Sequence, residues 1–252
     1  MKVRLLTVEY LDNPRLSLAT EEAIFNGVIR GTSPPTVWIW RHEKAAIVGR
    51  FQIPEEELNL DYAKNNRITV AKRMTGGGSI YQDLGNLIFS IYIHDYFNIE
   101  NNFVLFYKKL LSPLVSKLQK LGVNAESPGL NDIIVNGKKI LGSAGTISSS
   151  TLLFHATMLV KSDLRALASV LKVPRQKLQD KGVTSVAHRV TNLYEESGIG
   201  ILDATNIVLD SYSENLKLDY ERGNLTEEEK EEAKNLYLKK YNTDNWIYNR
   251  EI

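Results

Sequence analysis

A glycine-rich segment between residues 73 and 86 contains the residue types that could most clearly do chemistry. Gly76, Gly77 and Gly78 follow Arg73 after two intervening residues. Glycine lets the backbone bend freely and approach a ligand closely, so that successive N–H groups can turn toward an anion. The forked, permanently charged guanidinium of Arg73 suits a phosphate or a carboxylate. The segment therefore predicts an anion-binding loop, although three glycines alone would equally suit a flexible surface turn.

A second candidate is a lysine pair beside a tight turn. Asn136-Gly137 is a strong signal for a two-residue β-hairpin, and Lys138 and Lys139 follow it directly. Side chains alternate along a strand, so the two lysines face opposite sides. One can point into a cleft and the other into water, but two solvated lysines would be the commoner outcome.

Several common motifs do not occur in the sequence. The P-loop pattern fails after Gly137-Lys138, and the dinucleotide fingerprint GxGxxG fails at Tyr81. The four histidines show no metal-ligand spacing; they are His42, His94, His155 and His188. Any nucleotide would therefore be bound by a less common kind of site, and we expect no metal site made by the protein alone.

Composition narrows the classes of function. A chain of 252 residues suits one large domain, and a net charge of +1 argues against a general attraction to nucleic acid or anionic membranes. Neither a signal peptide nor an apolar stretch long enough to span a membrane is evident, so we expect a cytoplasmic protein. The sequence contains no cysteine, which excludes disulfides, thiolate metal sites and thioester intermediates.

Helical and strand patterns alternate along the chain. The predicted helices start at the caps Ser17 and Ser162, span Phe103–Leu121 with a kink or late start at Pro113, and follow a Thr226/Glu229 capping box to about Tyr241. The predicted strands are Met1–Tyr10, Thr36–Trp40, Ala45–Val48, Ile68–Ala71, Leu87–Ile93, Asn131–Val135, Lys139–Leu141 and Phe154–Val160. Two pairs, Thr36–Trp40 with Ala45–Val48 and Asn131–Val135 with Lys139–Leu141, read as hairpins.

This order of elements predicts an α+β fold. Hairpin-linked strands favour mixed or antiparallel sheets with flanking helices over a doubly wound parallel sheet. We expect a single domain over residues 1–252, in which residues from about 197 to 252 form a mainly helical tail packed on the rest.

Several ordered motifs together resemble the lipoate–protein ligase A family. The most specific is Arg73-Met74-Thr75-Gly76-Gly77-Gly78-Ser79-Ile80-Tyr81-Gln82-Asp83-Leu84-Gly85-Asn86. Supporting matches are Asn13–Phe25, Trp40-Arg41, Ile47–Gln52, Asn131-Asp132, Lys139–Ala144, His155–Leu159, Gly182–Val186 and Arg189–Leu193. They cover most of the chain, which makes the resemblance far more specific than one glycine run.

The resemblance implies a biotin/lipoate ligase-like catalytic domain. Such an enzyme uses ATP and Mg²⁺ to convert lipoate to lipoyl-AMP and passes the lipoyl group to a lysine of an acceptor protein. Lys139 would be catalytic, contacting both the carboxyl group and the α-phosphate. Contacts to ATP or lipoyl-AMP are expected from Arg73, Gly76, Gly77, Gly78, Ser79, Ile80, Tyr81, Asp83, Asn86, Asn131, Asp132 and Lys139. Contacts to lipoate are expected from Arg73, Gly77, Lys139 and His155.

Further expectations concern the substrates. An apolar slot for the lipoyl tail could include Trp38, Trp40 and residues 154–159, although core packing is the commoner role for most such side chains. A guanidinium beside the glycines also predicts that Arg73→Ala weakens ATP binding much more than lipoate binding.

Two departures from the family pattern bear on function. Gln82 stands where many members have histidine, so any chemistry of that ring is absent. Many bacterial members carry a further C-terminal domain, for which this chain ends too soon, and the resemblance then implies a separate small accessory subunit. The usual acceptors are lipoyl domains of the acyltransferase component of 2-oxoacid dehydrogenases and the glycine-cleavage H protein.

Three alternatives compete with a ligase. Octanoyl or lipoyl transferases of the same superfamily typically use a cysteine thioester, a route that a chain without cysteine cannot take. A biotin ligase would carry a Gly-Arg-Gly-Arg type loop, which does not occur. A non-catalytic module that binds acyl carriers would not need Arg73, three glycines and Lys139 together.

Overall fold

The large sheet of the protein brings together strands from both ends of the chain. The computed structural model describes residues 1–94, 102–172 and 189–249. Within these ranges the large sheet has the order β11-β1-β2-β6-β10-β9-β8-β7. Its strands are β1 (Lys2–Leu6), β2 (Thr36–Trp40), β6 (Asn86–His94), β7 (Ala125–Glu126), β8 (Asp132–Val135), β9 (Lys138–Ser148), β10 (Thr151–Leu159) and β11 (Asp219–Arg222).

A second, smaller sheet carries the strands on either side of the glycine-rich segment. It has the order β4-β3-β5, with β3 (Lys44–Val48), β4 (Thr69–Lys72) and β5 (Ile80–Asp83). β3 pairs parallel with β4 and antiparallel with β5. Both sheets taken together are mixed, which confirms the predicted α+β fold class.

The helices flank these sheets. They are α1 (Pro14–Arg30), α2 (Pro54–Glu57), α3 (Leu60–Asn65), α4 (Phe103–Lys120), α5 (Leu164–Val170), α6 (Leu193–Ser197), α7 (Ile201–Leu216), α8 (Glu227–Leu236), a π-helical turn (Tyr237–Tyr241) and α9 (Asp244–Tyr248). None of the helices in the described ranges combines the length and apolar character needed to cross a membrane.

Local capping explains where the first helix begins and ends. Asn13, not the predicted Ser17, caps α1, because its side chain accepts a hydrogen bond from the Leu16 N–H and Pro14 fits the first turn. Gly31 ends the helix with φ of 74°, a conformation that glycine adopts without strain. Ser17 lies inside the helix and is buried.

Pro113 lies inside α4 and does not delay the start of that helix. α4 begins at Phe103, where the Asn102 side chain caps it by accepting from Leu105 N–H, and continues past Pro113 to Lys120. The predicted late start is therefore wrong. Burial of one face of α4 compensates for the lost backbone hydrogen bond, since Leu110, Leu114 and Leu118 all pack in the core.

Two apolar clusters occupy opposite faces of the large sheet. Successive residues of β6 point to opposite sides, so Phe89 packs with α4 and α7, whereas Ile88 packs toward α1 and the small sheet. The central strands are consequently buried on both faces. A polar group on these strands needs an internal partner, and several such groups gather around the candidate site.

The predicted hairpin between β2 and β3 is wrong. The two strands exist at the expected positions but belong to different sheets. Arg41, just after β2, pairs with Glu9 at 2.8 Å, and Glu43 N–H donates to Leu11 O, so the connection leaves the large sheet instead of turning back. The Asn136-Gly137 hairpin, by contrast, is confirmed.

The C-terminal region is joined to the N-terminal strand. β11 pairs parallel with β1 at the sheet edge, and the capping box of Thr226 and Glu229 starts α8 as predicted. Glu229 also accepts a hydrogen bond from the Arg4 Nη1 at 2.8 Å, with both side chains buried. The region is thus mainly helical in its described part, and it adds one strand and a buried ion pair to the fold.

We expect Glu229→Gln to destabilise the protein by about 3 kcal/mol near neutral pH, because it leaves Arg4 buried without a counter-charge. Burial alone would raise the pKa of Glu229, but hydrogen bonds, above all from Arg4, outweigh this and lower it. A lowered pKa means that the stabilisation is complete above the unfolded-state value of about 4.3 and is lost as pH falls through the folded-state value.

Urea unfolding at several pH values tests this prediction. The gap between wild type and Glu229→Gln should narrow as pH falls below about 4. Glu228→Gln is the matched control, since that half-exposed carboxylate on the same helix makes surface contacts, an ion pair with Arg30 and a hydrogen bond from Thr32. Equal effects of the two variants would contradict the assignment.

Candidate active site

Two neighbouring cavities open beside the glycine-rich loop. The inner cavity is lined by Leu18, Trp40, Ile47, Arg73, Gly77, Gly78, Ser79, Ile80, Gln82, Ile88, Asn131, Lys139, Gly142, Ser143, Ala144, His155, Ala156 and Thr157. The outer cavity is lined by Glu57, Gly78, Ser79, Ile80, Tyr81, Asp132, Ile134, Gly137, Lys139, Leu141, Gly142, Thr157, Leu159, Leu167, Leu171, Lys172, Arg189 and Val190. The two share a wall that includes Gly78, Ser79 and Lys139, so a ligand in one would meet a ligand in the other there.

The glycine-rich loop is a bend whose shape is fixed by hydrogen bonds from Arg73 to its carbonyl groups. Arg73 Nη2 donates to Gly76 O at 2.6 Å and to Gly78 O at 2.9 Å. Gly77 has a φ of 93°, a backbone conformation that residues with a side chain rarely adopt. A Cβ on Gly49 would lie only 2.2 Å from Gly77 O, so the two backbone segments approach closely. The loop therefore has a fixed shape that depends on Arg73 and on the close approach of Gly49, unlike a flexible surface turn.

Arg73 faces the inner cavity and is almost completely buried. Burial lowers its pKa to about 10, against the opposing charge of Glu21, so the guanidinium stays charged at neutral pH. Its Nη1 has no hydrogen-bond partner among the described residues. Arg73 lines the inner cavity and not the outer one, and the expectation that Arg73→Ala weakens ATP binding more than lipoate binding stays a prediction.

Lys139 reaches the shared wall, and the preceding lysine does not. Asn136 and Gly137 both have positive φ, 51° and 79°, as a tight two-residue turn requires. Lys138 is then exposed, whereas Lys139 is partly covered and its Nζ lies 2.7 Å from Asp132 Oδ1. The predicted division between a cleft lysine and a solvated lysine is therefore correct.

Gly142 leaves the space in which Lys139 lies. A Cβ at this position would come within 2.7 Å of the Lys139 Nζ and 2.8 Å of its Cε. Gly142→Ala should push the ammonium away. If Lys139 has the catalytic role that the resemblance implies, adenylate formation should then fall about tenfold or more, because misplacing a catalytic group by about 1 Å can cost up to a hundredfold. The flexible lysine can yield, so the melting temperature should stay near wild type. An unchanged rate of lipoate-dependent ATP–pyrophosphate exchange would rule out this role of Gly142.

Two residues of the predicted nucleotide-binding set hold a turn. Asn86 Oδ1 accepts from Asp83 N–H, and Asp83 accepts from Gly85 N–H and from Asp163 N–H, which ties the β5–β6 turn to α5. Burial raises the pKa of Asp83, opposed by these hydrogen bonds. Neither Asp83 nor Asn86 lines either of the two cavities, and their contact with a ligand stays a prediction.

The other predicted residues lie close to the cavities. Ser79 and Ile80 line both, Tyr81 and Asp132 line the outer one, and Asn131 and His155 line the inner one. Gly76 lines neither and contributes its carbonyl to Arg73. The predicted motif Gly182–Val186, together with His188, lies outside the described residues.

Gln82 is fixed by two neighbours that the sequence motifs did not single out. Its Oε1 lies 2.9 Å from His42 Nδ1, and its Nε2 donates to Thr157 Oγ1 at 2.8 Å. Burial lowers the pKa of His42 to about 4, so that ring is neutral at pH 7. The glutamine amide is thus rigidly oriented beside the inner cavity.

Glu21 and Thr75 are further site residues that the sequence argument missed. Glu21 is fully buried in α1 and contacts His155, and Thr75 contacts both His155 and Arg73. The sequence signal that could have identified Glu21 was its position on the apolar face of a predicted helix. A buried glutamate is rare unless it has a partner, so this position indicates a polar contact inside the protein.

Comparison with known families and proteins identifies the family to which the chain belongs. The family model described as the lipoyl protein ligase A/B catalytic domain matches residues 13–213. The chain belongs to this family. Lipoate–protein ligase A subunit 1 of Thermoplasma acidophilum is 38% identical, covering 98% of this chain and 96% of that protein. The predicted family and ligase activity are confirmed.

Solved structures of family members have the same fold. A bipartite lipoate–protein ligase of T. acidophilum, described with its E2 lipoyl domain, superposes with a TM-score of 0.86 at 36% identity, covering 100% of this chain and 99% of that one. A lipoate–protein ligase A bound with ATP gives 0.85 at 35% identity, covering 98% and 99%. A T. acidophilum relative with bound lipoic acid gives 0.84 at 35% identity, covering 99% and 100%.

Longer relatives also match. Lipoate–protein ligase LplJ of Bacillus subtilis is 35% identical over 73% of this chain, and the match spans only 54% of that protein. The chain therefore corresponds to about half the length of this bacterial relative.

Proposed function

We propose that this chain carries out lipoate activation where its two cavities meet, with lipoate in the inner cavity, ATP in the outer cavity and Lys139 between them. The single observation that carries the proposal is that Lys139 lies on the wall common to both. An ammonium at that position can contact a carboxylate on one side and an α-phosphate on the other.

The inner cavity suits a lipoyl chain. Leu18, Trp40, Ile47 and Ile88 give it an apolar lining, while Arg73 supplies a charged guanidinium. A relative with bound lipoic acid supports this choice of ligand. Trp38 stacks on Trp40 with ring centroids 4.6 Å apart and is not part of the lining, so its role is core packing.

The outer cavity suits the nucleotide, and a relative bound with ATP supports this choice. No group of three or more histidine or acidic side chains in the described ranges could hold a metal ion by itself. Mg²⁺ commonly keeps several waters and binds through one or two carboxylates together with substrate phosphates. Asp132 and Glu57 on the outer wall fit that pattern, and Mg²⁺ bound there would withdraw charge from the phosphates.

The first half-reaction joins lipoate to AMP. A lipoate carboxylate oxygen attacks the α-phosphorus of ATP, the bond to the β-phosphate bridging oxygen breaks, and pyrophosphate leaves. Two anions must approach each other, and the Lys139 ammonium between them offsets their repulsion. Its pairing with Asp132 at 2.7 Å holds the ammonium in position until the substrates bind.

The second half-reaction transfers the lipoyl group to protein. A neutral lysine amine of the acceptor attacks the carbonyl carbon of lipoyl-AMP, the bond to the phosphate oxygen breaks, AMP leaves, and the amine loses a proton. We propose lipoyl domains of acyltransferase components as acceptors, supported by a related bipartite ligase described with its E2 lipoyl domain. The glycine-cleavage H protein is a second candidate acceptor, and a small accessory subunit a candidate partner.

Adenylate formation can be measured directly. The chain incubated with ATP, magnesium and lipoate should yield a product with the mass of lipoyl-AMP and should catalyse lipoate-dependent ATP–pyrophosphate exchange. Octanoate in place of lipoate tests the choice of acyl chain. The absence of both signals, with or without a candidate accessory subunit, would overturn the proposal.

Transfer needs its own experiment. A purified lipoyl domain should gain the mass of one lipoyl group when it is incubated with the chain and a candidate small subunit. Omitting the subunit shows whether it is required for transfer or for activation. An acceptor in which the target lysine is replaced by arginine is the control and should gain no mass.

A further inference from the structure

A fully buried carboxylate lies behind the inner cavity, in the middle of α1. Glu21 Oε1 accepts a hydrogen bond from Ser90 Oγ at 2.7 Å, and Ser90 Oγ in turn accepts from Trp40 Nε1 at 3.1 Å. Both Glu21 oxygens lie within 2.9 Å of His155 Nδ1. Sheet register brings these groups together, because Ser90 and His155 are direct partners on β6 and β10 and face α1.

The chain of contacts continues from His155 to Arg73. His155 Nε2 lies 2.8 Å from Thr75 Oγ1, and Arg73 Nε donates to the same hydroxyl oxygen at 3.1 Å. Arginine can only donate and an ionised glutamate can only accept. Every hydrogen bond can therefore be satisfied in one arrangement: Arg73 Nε–H to Thr75, Thr75 O–H to His155 Nε2, and His155 Nδ1–H to Glu21.

We propose that Glu21 and Thr75 are positioning residues for the ligase reaction, acting through His155 to hold Arg73 against the inner cavity. This inference rests on the proposed function, in which lipoate binds in the inner cavity that Arg73 lines. The chain of hydrogen bonds from Glu21 through His155 to Thr75, here called the relay, anchors Nε of the guanidinium. The carbonyls of Gly76 and Gly78 anchor Nη2. Nη1 is then left without a hydrogen-bond partner in the described structure, on a side chain that lines the inner cavity.

Charge balance supports the same assignment. An ion buried without a counter-charge is costly, and a buried carboxylate therefore needs a cation nearby or several donors. Arg73 is a buried cation whose charge interacts with Glu21. Ser90 and His155 supply the donors. Glu21 thus compensates the charge of Arg73 without contacting it directly, which leaves the guanidinium free to bind an anion.

A spectroscopic test does not depend on activity. Nitrogen-15 NMR of histidine-labelled protein near neutral pH should show His155 neutral, with the proton on Nδ1 and a bare Nε2. The resonances are identified by their loss in His155→Gln. A proton on Nε2, with or without one on Nδ1, would contradict the relay, since Thr75 could then no longer donate to that nitrogen.

A kinetic test separates positioning from folding. Thr75→Val keeps the shape but removes the hydroxyl, and kcat/KM for lipoate in pyrophosphate exchange should fall about tenfold or more, as for loss of a hydrogen bond to a charged group. The KM for ATP should stay near wild type. Thr75→Ser, which restores the hydroxyl, should recover most of the activity.

The matched control is Thr20→Val, which removes another buried hydroxyl, one that has no hydrogen-bond partner among the described residues. It should leave kcat/KM for lipoate near wild type. Equal kinetics of Thr75→Val and wild type, or no recovery in Thr75→Ser, would overturn the inference. Failure of the proposed function would instead appear as absent exchange in wild type, while the NMR result would still report on the relay.

Discussion

Lys139→Ala should abolish lipoate-dependent ATP–pyrophosphate exchange while the protein remains folded. Removing a single preorganised donor from a developing charge typically costs about 2.7–4 kcal/mol, or roughly 10²–10³-fold in rate. Lys139 serves two anionic groups at once in the proposed arrangement, so we expect a loss at or beyond that range. Circular dichroism should match wild type, because this side chain is partly exposed and contributes no apolar core contact.

Lys138→Ala is the matched control for this prediction. The two lysines are neighbours on β9, carry the same charge and differ in the side of the strand that they occupy. Lys138 is exposed, and it lines neither cavity. Its replacement should therefore change the exchange rate only slightly. Full exchange activity in Lys139→Ala would end the assignment of that residue.

Gly49→Ala should have the second largest effect, although Gly49 lines neither cavity. The new Cβ would lie 2.2 Å from Gly77 O and 3.2 Å from Arg73 Nη2, and the carbonyl belongs to a backbone that cannot move without reshaping the loop. We expect adenylate formation to fall about a hundredfold, as for other small misplacements of a catalytic geometry. Stability should fall by about 1–3 kcal/mol, as for overpacked sites.

Pyrophosphate exchange and thermal unfolding together test the Gly49→Ala prediction. Gly129→Ala is the control, since a Cβ at that glycine meets no atom within 4 Å and its φ is not in the left-handed region. It should leave both quantities near wild type. Normal exchange by Gly49→Ala would show that the shape of the glycine loop does not matter for activation.

Local features of the fold were predictable because the signals that set them are local. The Asn136-Gly137 turn needs only two residues that tolerate positive φ, and the Thr226/Glu229 capping box needs only a spacing of three. Local signals do not determine which strands pair with each other. The β2–β3 hairpin was mispredicted because alternation within each strand says nothing about which sheet it joins; β2 pairs with β6, whereas β3 pairs with β4 and β5.

The candidate site also contains residues that the sequence could predict and contacts that it could not. The sequence indicated Arg73, the three glycines and Lys139, because these residue types have few other reasons to occur together. It assigned Asp83 and Asn86 to the ligand because a motif marks turn residues and binding residues alike. It could not find the contact of Glu21 with His155, which lies 134 positions further along the chain, because that contact depends on how α1 packs against β10.

The central claim is that Lys139 bridges the two cavities. The most direct test is a crystal structure of the chain with a non-hydrolysable analogue of lipoyl-AMP. We predict the lipoyl chain beside Trp40, the adenosine in the outer cavity, and Lys139 Nζ at about 3 Å from both the carbonyl and a phosphate oxygen. A complex in which Lys139 contacts neither oxygen, or in which the adenylate lies elsewhere, would contradict the account.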